Sequence, residues 1–224
     1  LEKYGFEVKR LPVDRYGQVD PDDLTAALTE KTILVSLQWA NNEVGTIQPL
    51  AELIERTRAG SRALIHVDAV QAAAWLPVDV EALGADLVSF AAHKVEGPKG
   101  MGALWIRRGT AILPQVHGGA QERYRRAGTE NVAGAVGMAA AFELAAAERE
   151  LVADDVAERR DGLAGAVLGL DGVELTGHPA DRLPNSLSVI VRDVAGDDIV
   201  IGLDLEGIAC STGSACTSGS TEPS

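Results

Sequence analysis

The chain has 224 residues, of which 46% are hydrophobic and 24% charged, the proportions of an ordinary globular protein. Its net charge of −13 repels phosphate backbones and argues against direct nucleic-acid binding. No apolar run is long enough to cross a bilayer and no signal peptide opens the chain. The two cysteines, Cys210 and Cys216, form neither a disulfide framework nor a zinc-ligand spacing, so the expected compartment is reducing, that is, cytoplasmic.

Residues 6–13 alternate apolar and polar side chains and predict a strand. Asp20-Pro21-Asp22-Asp23 predicts a helix start, with Asp20 as N-cap, proline in the first turn and acids beside the positive helix end. Residues 32–37 predict an apolar strand, followed by a polar loop over 38–48 and a helix over 49–58. A third strand is predicted over 63–67, ending at Asp68, with a helical stretch over 69–75. Residues 87–92 read as a buried strand that runs into His93-Lys94 and a Gly97-Pro-Lys-Gly100 turn, and 101–107 read as a fifth strand. Strands alternating with helices predict an α/β fold with a mostly parallel sheet flanked by helices. Ligands in such folds bind beyond the carboxyl ends of strands. Asn41-Asn42, Asp68 and Lys94 all follow predicted strands, so one pocket is expected to hold them.

Residues 117–131 form a long, polar, glycine-punctuated stretch with two readings: arginines and backbone amides arranged for an anion such as phosphate, or a solvated surface loop. Residues 131–170 are alanine-rich and predict two helices breaking near 148–154; Gly134 and Gly137 in the first permit close packing. After Pro184-Asn185 the pattern changes to a strand over 186–191, a helix over 197–205 and a strand opening at Ile208-Ala209, the beginning of a small α+β unit. The expected division is a large domain over 1–150 and part of a small domain over 151–224. Leu1 in place of methionine, and a Thr221-Glu-Pro-Ser224 end that closes no element, are read as the ends of a piece of a longer protein.

Four side chains carry candidate chemistry. Lys94 is either the first solvated residue after its strand or a desolvated amine able to react with a carbonyl. Asp68 is either a cap for the following turn or a carboxylate that pairs a ring N–H⁺, and Gln71 is either a surface residue or an amide donor to a neighbouring oxygen. Cys216 sits in a small, polar tract over 211–220 where cysteine is expected for reactivity rather than packing, whereas Cys210 is expected to be a small core residue.

Six motifs occur in order: Asn41-Asn-Glu-Val-Gly-Thr46, His66-Val-Asp-Ala-Val-Gln71, Ser89-Phe-Ala-Ala-His-Lys94 with Gly97-Pro-Lys-Gly100, His117-Gly-Gly, Arg126-Ala-Gly-Thr129 and Ser211-Thr-Gly-Ser-Ala-Cys216. Together they resemble the cysteine desulfurases of the NifS/IscS type, with the long cysteine loop rather than the shorter SufS-like segment. That resemblance implies a pyridoxal 5'-phosphate enzyme of the aspartate-aminotransferase fold (fold type I), with the cofactor in the 1–150 part and the cysteine loop in the 151–224 part. It implies L-cysteine as substrate, L-alanine as product and a persulfide on Cys216. By the resemblance, Lys94 holds the cofactor as a Schiff base and moves the substrate α-proton, Asp68 pairs the pyridine nitrogen, and Gln71 bonds the ring hydroxyl oxygen. Asn42 lies near that oxygen and the substrate carboxylate, and His93 lies beside the phosphate. Thr129 reaches the phosphate of a neighbouring subunit, hence a homodimer. The implied partner is a sulfur-acceptor protein, an iron–sulfur scaffold or a tRNA-thiolating enzyme. No resident metal is implied; a cluster held briefly by Cys216 with a scaffold would be cargo.

The motifs also depart from the pattern. Ala91 stands where the family often has a serine, and Val95-Glu96 replaces a commoner aromatic-glycine pair. The family's phosphate-cradling turn and ring-stacking histidine would precede Leu1, and its substrate-binding arginine would follow Ser224. A selenocysteine lyase or aminotransferase on the same fold, and an inactive fragment, are the alternatives.

Overall fold

A computed structural model describes residues 1–213. The order of elements is α1 (Pro21–Ala27), β1 (Leu34–Gln38), α2 (Leu50–Gly60), β2 (Leu64–Asp68), β3 (Leu87–Ala91), β4 (Gly102–Ile106), α3 (Gln121–Tyr124), α4 (Val132–Val167), β5 (Val173–Leu175), β6 (Val189–Val191) and α5 (Gly196–Leu205). The first four strands form one sheet in the order β1-β2-β3-β4. β1, β2 and β3 run parallel, and β4 pairs antiparallel with β3. β5 and β6 form a separate antiparallel pair. Asp20 caps α1 as the sequence predicts, its Oδ1 accepting from the Asp22 N–H at 2.8 Å.

Alternation in β1 and β2 buries one face of the sheet. Val35 and Leu37, Ile65 and Val67, and Val88 meet Leu24 of α1 and Leu50, Leu53 and Ile54 of α2 in one apolar core. Phe90 continues that face and meets Phe142 of α4 edge to face, with ring centroids 5.6 Å apart. The opposite face is polar along its middle, where Ser36, His66 and Ser89 lie side by side.

Several expected elements differ. Residues 6–13 form no strand, because no neighbouring strand pairs with them. Residues 69–75 form a run of turns instead of a helix, although Ala73 N–H donates to the Ala69 carbonyl. The two helices expected over 131–170 are one unbroken 36-residue helix, α4, which is capped by Asn131 accepting from the Gly134 N–H at 3.0 Å. Residues 148–154 are charged but contain neither glycine nor proline, so nothing there stops a helix. β5 was not expected, and Ile208-Ala209 opens no strand. Cys210 is exposed rather than in the core.

The β5–β6 unit is knitted to the loop after β1. Thr46 is fully buried; its Oγ1 donates to the Tyr16 carbonyl at 2.6 Å and accepts from the His178 N–H at 2.9 Å. Leu183 N–H donates to the Gly45 carbonyl and Ile47 N–H to the Asp181 carbonyl. The buried Arg182 guanidinium donates to the carbonyls of His178, Ser186 and Thr176. Gly45 has φ +76°, and a Cβ there would run into the Ser186 side chain, so both its conformation and its surroundings require glycine.

At the start of β3, Asp86 closes the bottom of the sheet. Its Oδ2 accepts from Arg58 Nη2 at 2.7 Å and from the Ile65 N–H at 2.8 Å. Asp86→Ala leaves both donors short of a partner and is expected to lower the unfolding free energy by about 3 kcal/mol. Denaturant unfolding checks this; a loss below about 1 kcal/mol would mean that water replaces the carboxylate.

Candidate active site

The parallel strands deliver their carboxyl ends to one edge, and the candidate residues follow from there. Gln38 ends β1 in register with Asp68 at the end of β2, and Asp68 is in register with Ser89 of β3. The Asp68 Oδ1 accepts from the Val70 N–H at 3.0 Å, so it caps the turn that follows. Its other carboxylate oxygen has no hydrogen-bond partner among the described residues. Capping and a free oxygen thus coexist, and the two sequence readings of Asp68 do not compete.

Asn42 and Gln71 line one polar cavity of about 190 Å³. Asn42 Oδ1 accepts from Gln38 Nε2 at 3.3 Å, which ties the loop after β1 back to its strand. The loop itself is shaped by Asn41, whose Oδ1 accepts from the Glu43 and Val44 N–H groups at 2.8 and 2.9 Å. Leu183, Asn185 and Ser186 of the second unit line the same cavity. Sequence reasoning did not assign them a place there; the change of pattern at Pro184-Asn185 was the available signal.

Lys94 and His93 lie on a 3-10 turn, Ala92–Val95, directly after β3. Both are exposed among the described residues. The turn is anchored from below. Ala92 is fully buried, and its carbonyl accepts from the Gly97 N–H at 2.8 Å. A Cβ on Gly137 of α4 would lie 2.8 Å from Pro98, and one on Gly97 would lie 3.1 Å from Ala141. The small residues of α4 therefore let the helix close on the lysine-bearing turn, the packing that the sequence predicts for Gly134 and Gly137. The turn ends at Glu96, with φ +62°. A glycine commonly stands there in the family pattern, and the left-handed backbone explains why.

The single pocket expected from the sequence is thus found only in part: Asn41, Asn42 and Gln71 line the cavity, whereas Asp68 at the end of β2 and Lys94 beyond β3 are not in its lining. His93 lies beside Lys94 on the turn after β3. Thr129 is exposed on the loop before α4 and makes no hydrogen bond to the others. Before that loop, Glu122, Arg123 and Tyr124 of the short α3 all have positive φ. Cys216 lies outside the described residues.

Below Asp68 on the same strand, His66 shares its ring nitrogens with Ser36 Oγ and Ser89 Oγ, each at 2.8 Å. Desolvation lowers its pKa from the ordinary value, and the negative field of Asp68 opposes that shift only in part. Among the described residues, no group of three or more His, Cys, Asp or Glu side chains is placed to hold a metal, and no helix is long and apolar enough to cross a membrane.

Comparison with known proteins gives a consistent result. The profile of the family described as aminotransferase class-V matches residues 1–223. The cysteine desulfurase IscS of Methanosarcina thermophila is 50% identical over 224 residues, which is 100% of this chain and 55% of that protein. That of Dictyoglomus turgidum is 51% identical over 225 residues, covering 100% of this chain and 57% of its own length. Among solved structures, a NifS-like protein superposes with a TM-score of 0.90 at 41% identity, covering 94% of this chain and 58% of the other. A NifS-like protein from Rickettsia africae gives 0.85 at 30% identity over 91% of this chain and 57% of its own. The chain therefore spans a little over half the length of these relatives.

Two outcomes are expected from this geometry. A histidine whose folded pKa lies below its unfolded value binds fewer protons folded than unfolded, so stability falls as pH drops below about 6.5. Replacing His66 by Gln should flatten that part of the acid limb in denaturant titrations at successive pH values. Separately, Glu96→Gly relieves a left-handed backbone but loosens the unfolded chain, for a net gain of about 0.5 kcal/mol in thermal or denaturant unfolding.

Proposed function

Because the chain belongs to the class-V aminotransferase family, we propose that it carries the cofactor pocket and sulfur-accepting cysteine of a cysteine desulfurase that converts L-cysteine to L-alanine. One observation carries the reading: Asp68 ends β2 with an uncommitted carboxylate oxygen, Gln71 and Asn42 line one cavity beyond the strand ends, and Lys94 follows the next strand. That donor set fits pyridoxal 5'-phosphate. A carboxylate suits a ring N–H⁺, amides suit a ring hydroxyl oxygen and a substrate carboxylate, and an amine suits an aldehyde carbon. When bound, the cofactor supplies an electron sink for the bonds around the substrate's α-carbon.

The residues then divide the work. Lys94 holds the cofactor and takes or returns the substrate's α-proton at its Nζ. Asp68 fixes the protonated ring nitrogen, Gln71 the ring hydroxyl oxygen and Asn42 the substrate carboxylate. His93 borders the phosphate, and Thr129 reaches the phosphate held by a second copy, so the working unit is a homodimer. The Cys216 thiolate attacks the substrate sulfur; the carbon–sulfur bond breaks, its electron pair stays with carbon, and protonation there yields alanine. The sulfur remains on Cys216 as a persulfide for a protein acceptor serving iron–sulfur clusters or tRNA thiolation. Residues 1–150 form the cofactor-bearing part and 151–224 the cysteine-bearing part; α4 runs through residue 150 and joins them. A reducing, cytoplasmic setting suits a free thiolate nucleophile.

The test is the visible spectrum of the chain mixed with pyridoxal phosphate, beside Lys94→Ala and Cys216→Ala. A yellow band is expected in the parent and in Cys216→Ala, and none in Lys94→Ala. Alanine formation from cysteine should be lost in both variants. A band that survives Lys94→Ala unchanged, or full turnover by Cys216→Ala, would overturn the assignment.

A further inference from the structure

The half-buried histidine that the reaction leaves unused is His66. Its strand lies between β1 and β3, and both ring nitrogens are committed, Nδ1 to Ser36 Oγ and Nε2 to Ser89 Oγ, each at 2.8 Å. A neutral imidazole has one donor and one acceptor, so one serine hydroxyl oxygen accepts a hydrogen bond from the ring N–H while the other serine O–H donates to the bare ring nitrogen. The side chain is thereby fixed across three strands.

His66 and Asp68 are two residues apart on β2 and share a face, separated by about 6.6 Å at roughly 3.3 Å per residue. On that face β1 presents Ser36 and Gln38, and β3 presents Leu87, Ser89 and Ala91. None of these is charged. Asp68 is the ionised group whose field reaches the ring.

We propose that His66 is a positioning residue for Asp68: clamped without charge between Ser36 and Ser89, it fixes the strand end and leaves the aspartate's negative charge for a cation bound beyond the sheet. This deepens the cofactor reading of Asp68 and rests on it, the cation being the protonated ring nitrogen. A protonated His66 would place a competing positive charge on the same face. Acidification that protonates His66 therefore weakens the hold of Asp68 on the ring.

The coupling is tested by NMR titration of the His66 ring in the full chain without cofactor, for the parent and Asp68→Asn. Loss of the carboxylate is expected to lower the His66 midpoint by on the order of half a pH unit, the size of a unit-charge interaction at that spacing in a water-like dielectric. An unmoved midpoint overturns the inference. A second arm compares the dissociation constant of pyridoxal phosphate at about pH 7.5 and at about one pH unit below the His66 midpoint found by NMR, in the parent and in His66→Gln. Glutamine keeps a donor and an acceptor but no titratable charge. Acid should weaken binding by about threefold more in the parent than in His66→Gln, the equivalent of half a pH unit. Equal weakening overturns the inference. A parent that takes up no pyridoxal phosphate at the higher pH defeats the cofactor reading instead, and the NMR arm still decides whether His66 and Asp68 are coupled.

Discussion

Parallel pairing of β1, β2 and β3 is the constraint on which the site depends. A parallel ladder sends every carboxyl end to the same edge, so Gln38, Asp68 and Ala91 finish together without any long-range instruction. Register is held by burial. A slip of one residue would turn Val35, Leu37, Ile65 and Val67 out of the core and bring Ser36 and His66 into it. The same alternation that fills the core therefore aims Asp68 and His66 at the other face. Asp86 reinforces the register from the opposite end by taking the Ile65 N–H that lies beyond the β2–β3 ladder.

Around that edge, close approach does the remaining positioning. The lysine-bearing turn is pressed against α4 through Gly97, Gly137 and Ala141, where larger side chains would collide. The asparagine loop is held by Gly45 and Gly177, each with positive φ and each hard against the opposing segment. Two polar residues make the second junction specific rather than merely tight. Buried Thr46 satisfies one donor and one acceptor, and Arg182 spends its guanidinium on backbone carbonyls. Burial and the nearby Arg160 both lower the pKa of that guanidinium, desolvation more strongly. The carbonyl acceptors offset part of the cost of keeping it in place.

Much of this was legible in the residues. Asp20 before Pro21 marked a helix start, and the apolar runs over 32–37, 63–67 and 87–92 marked the three parallel strands. Of the residues expected to share one pocket beyond the strand ends, Asn41 and Asn42 line the cavity there and Asp68 and Lys94 do not. What failed did so for physical reasons. Alternation over 6–13 shows that a segment could pair, not that a partner strand exists. The charged stretch over 148–154 looked like a break, yet α4 crosses it because only glycine or proline would have cost enough to stop it. The antiparallel direction of β4 follows from the chain length before it: only ten residues separate it from β3, fewer than a parallel crossover needs. The hydrogen bonds of His66 to serines on two other strands had no local signature, because they follow from register alone.

The junction built on Thr46 also says something about how the chain comes to be folded. His178 N–H meets Thr46 Oγ1 across 132 residues, and Gln18 reaches Asp181 across 163. During synthesis the loop that presents Asn42 must wait, with buried-type polar groups unsatisfied, until the 176–186 segment has left the ribosome. Contacts of such sequence separation slow folding and prolong the exposure of incomplete edges. The asparagine loop is therefore expected to be among the last parts of the sheet edge to settle, well after the β1–β2–β3 ladder beneath it.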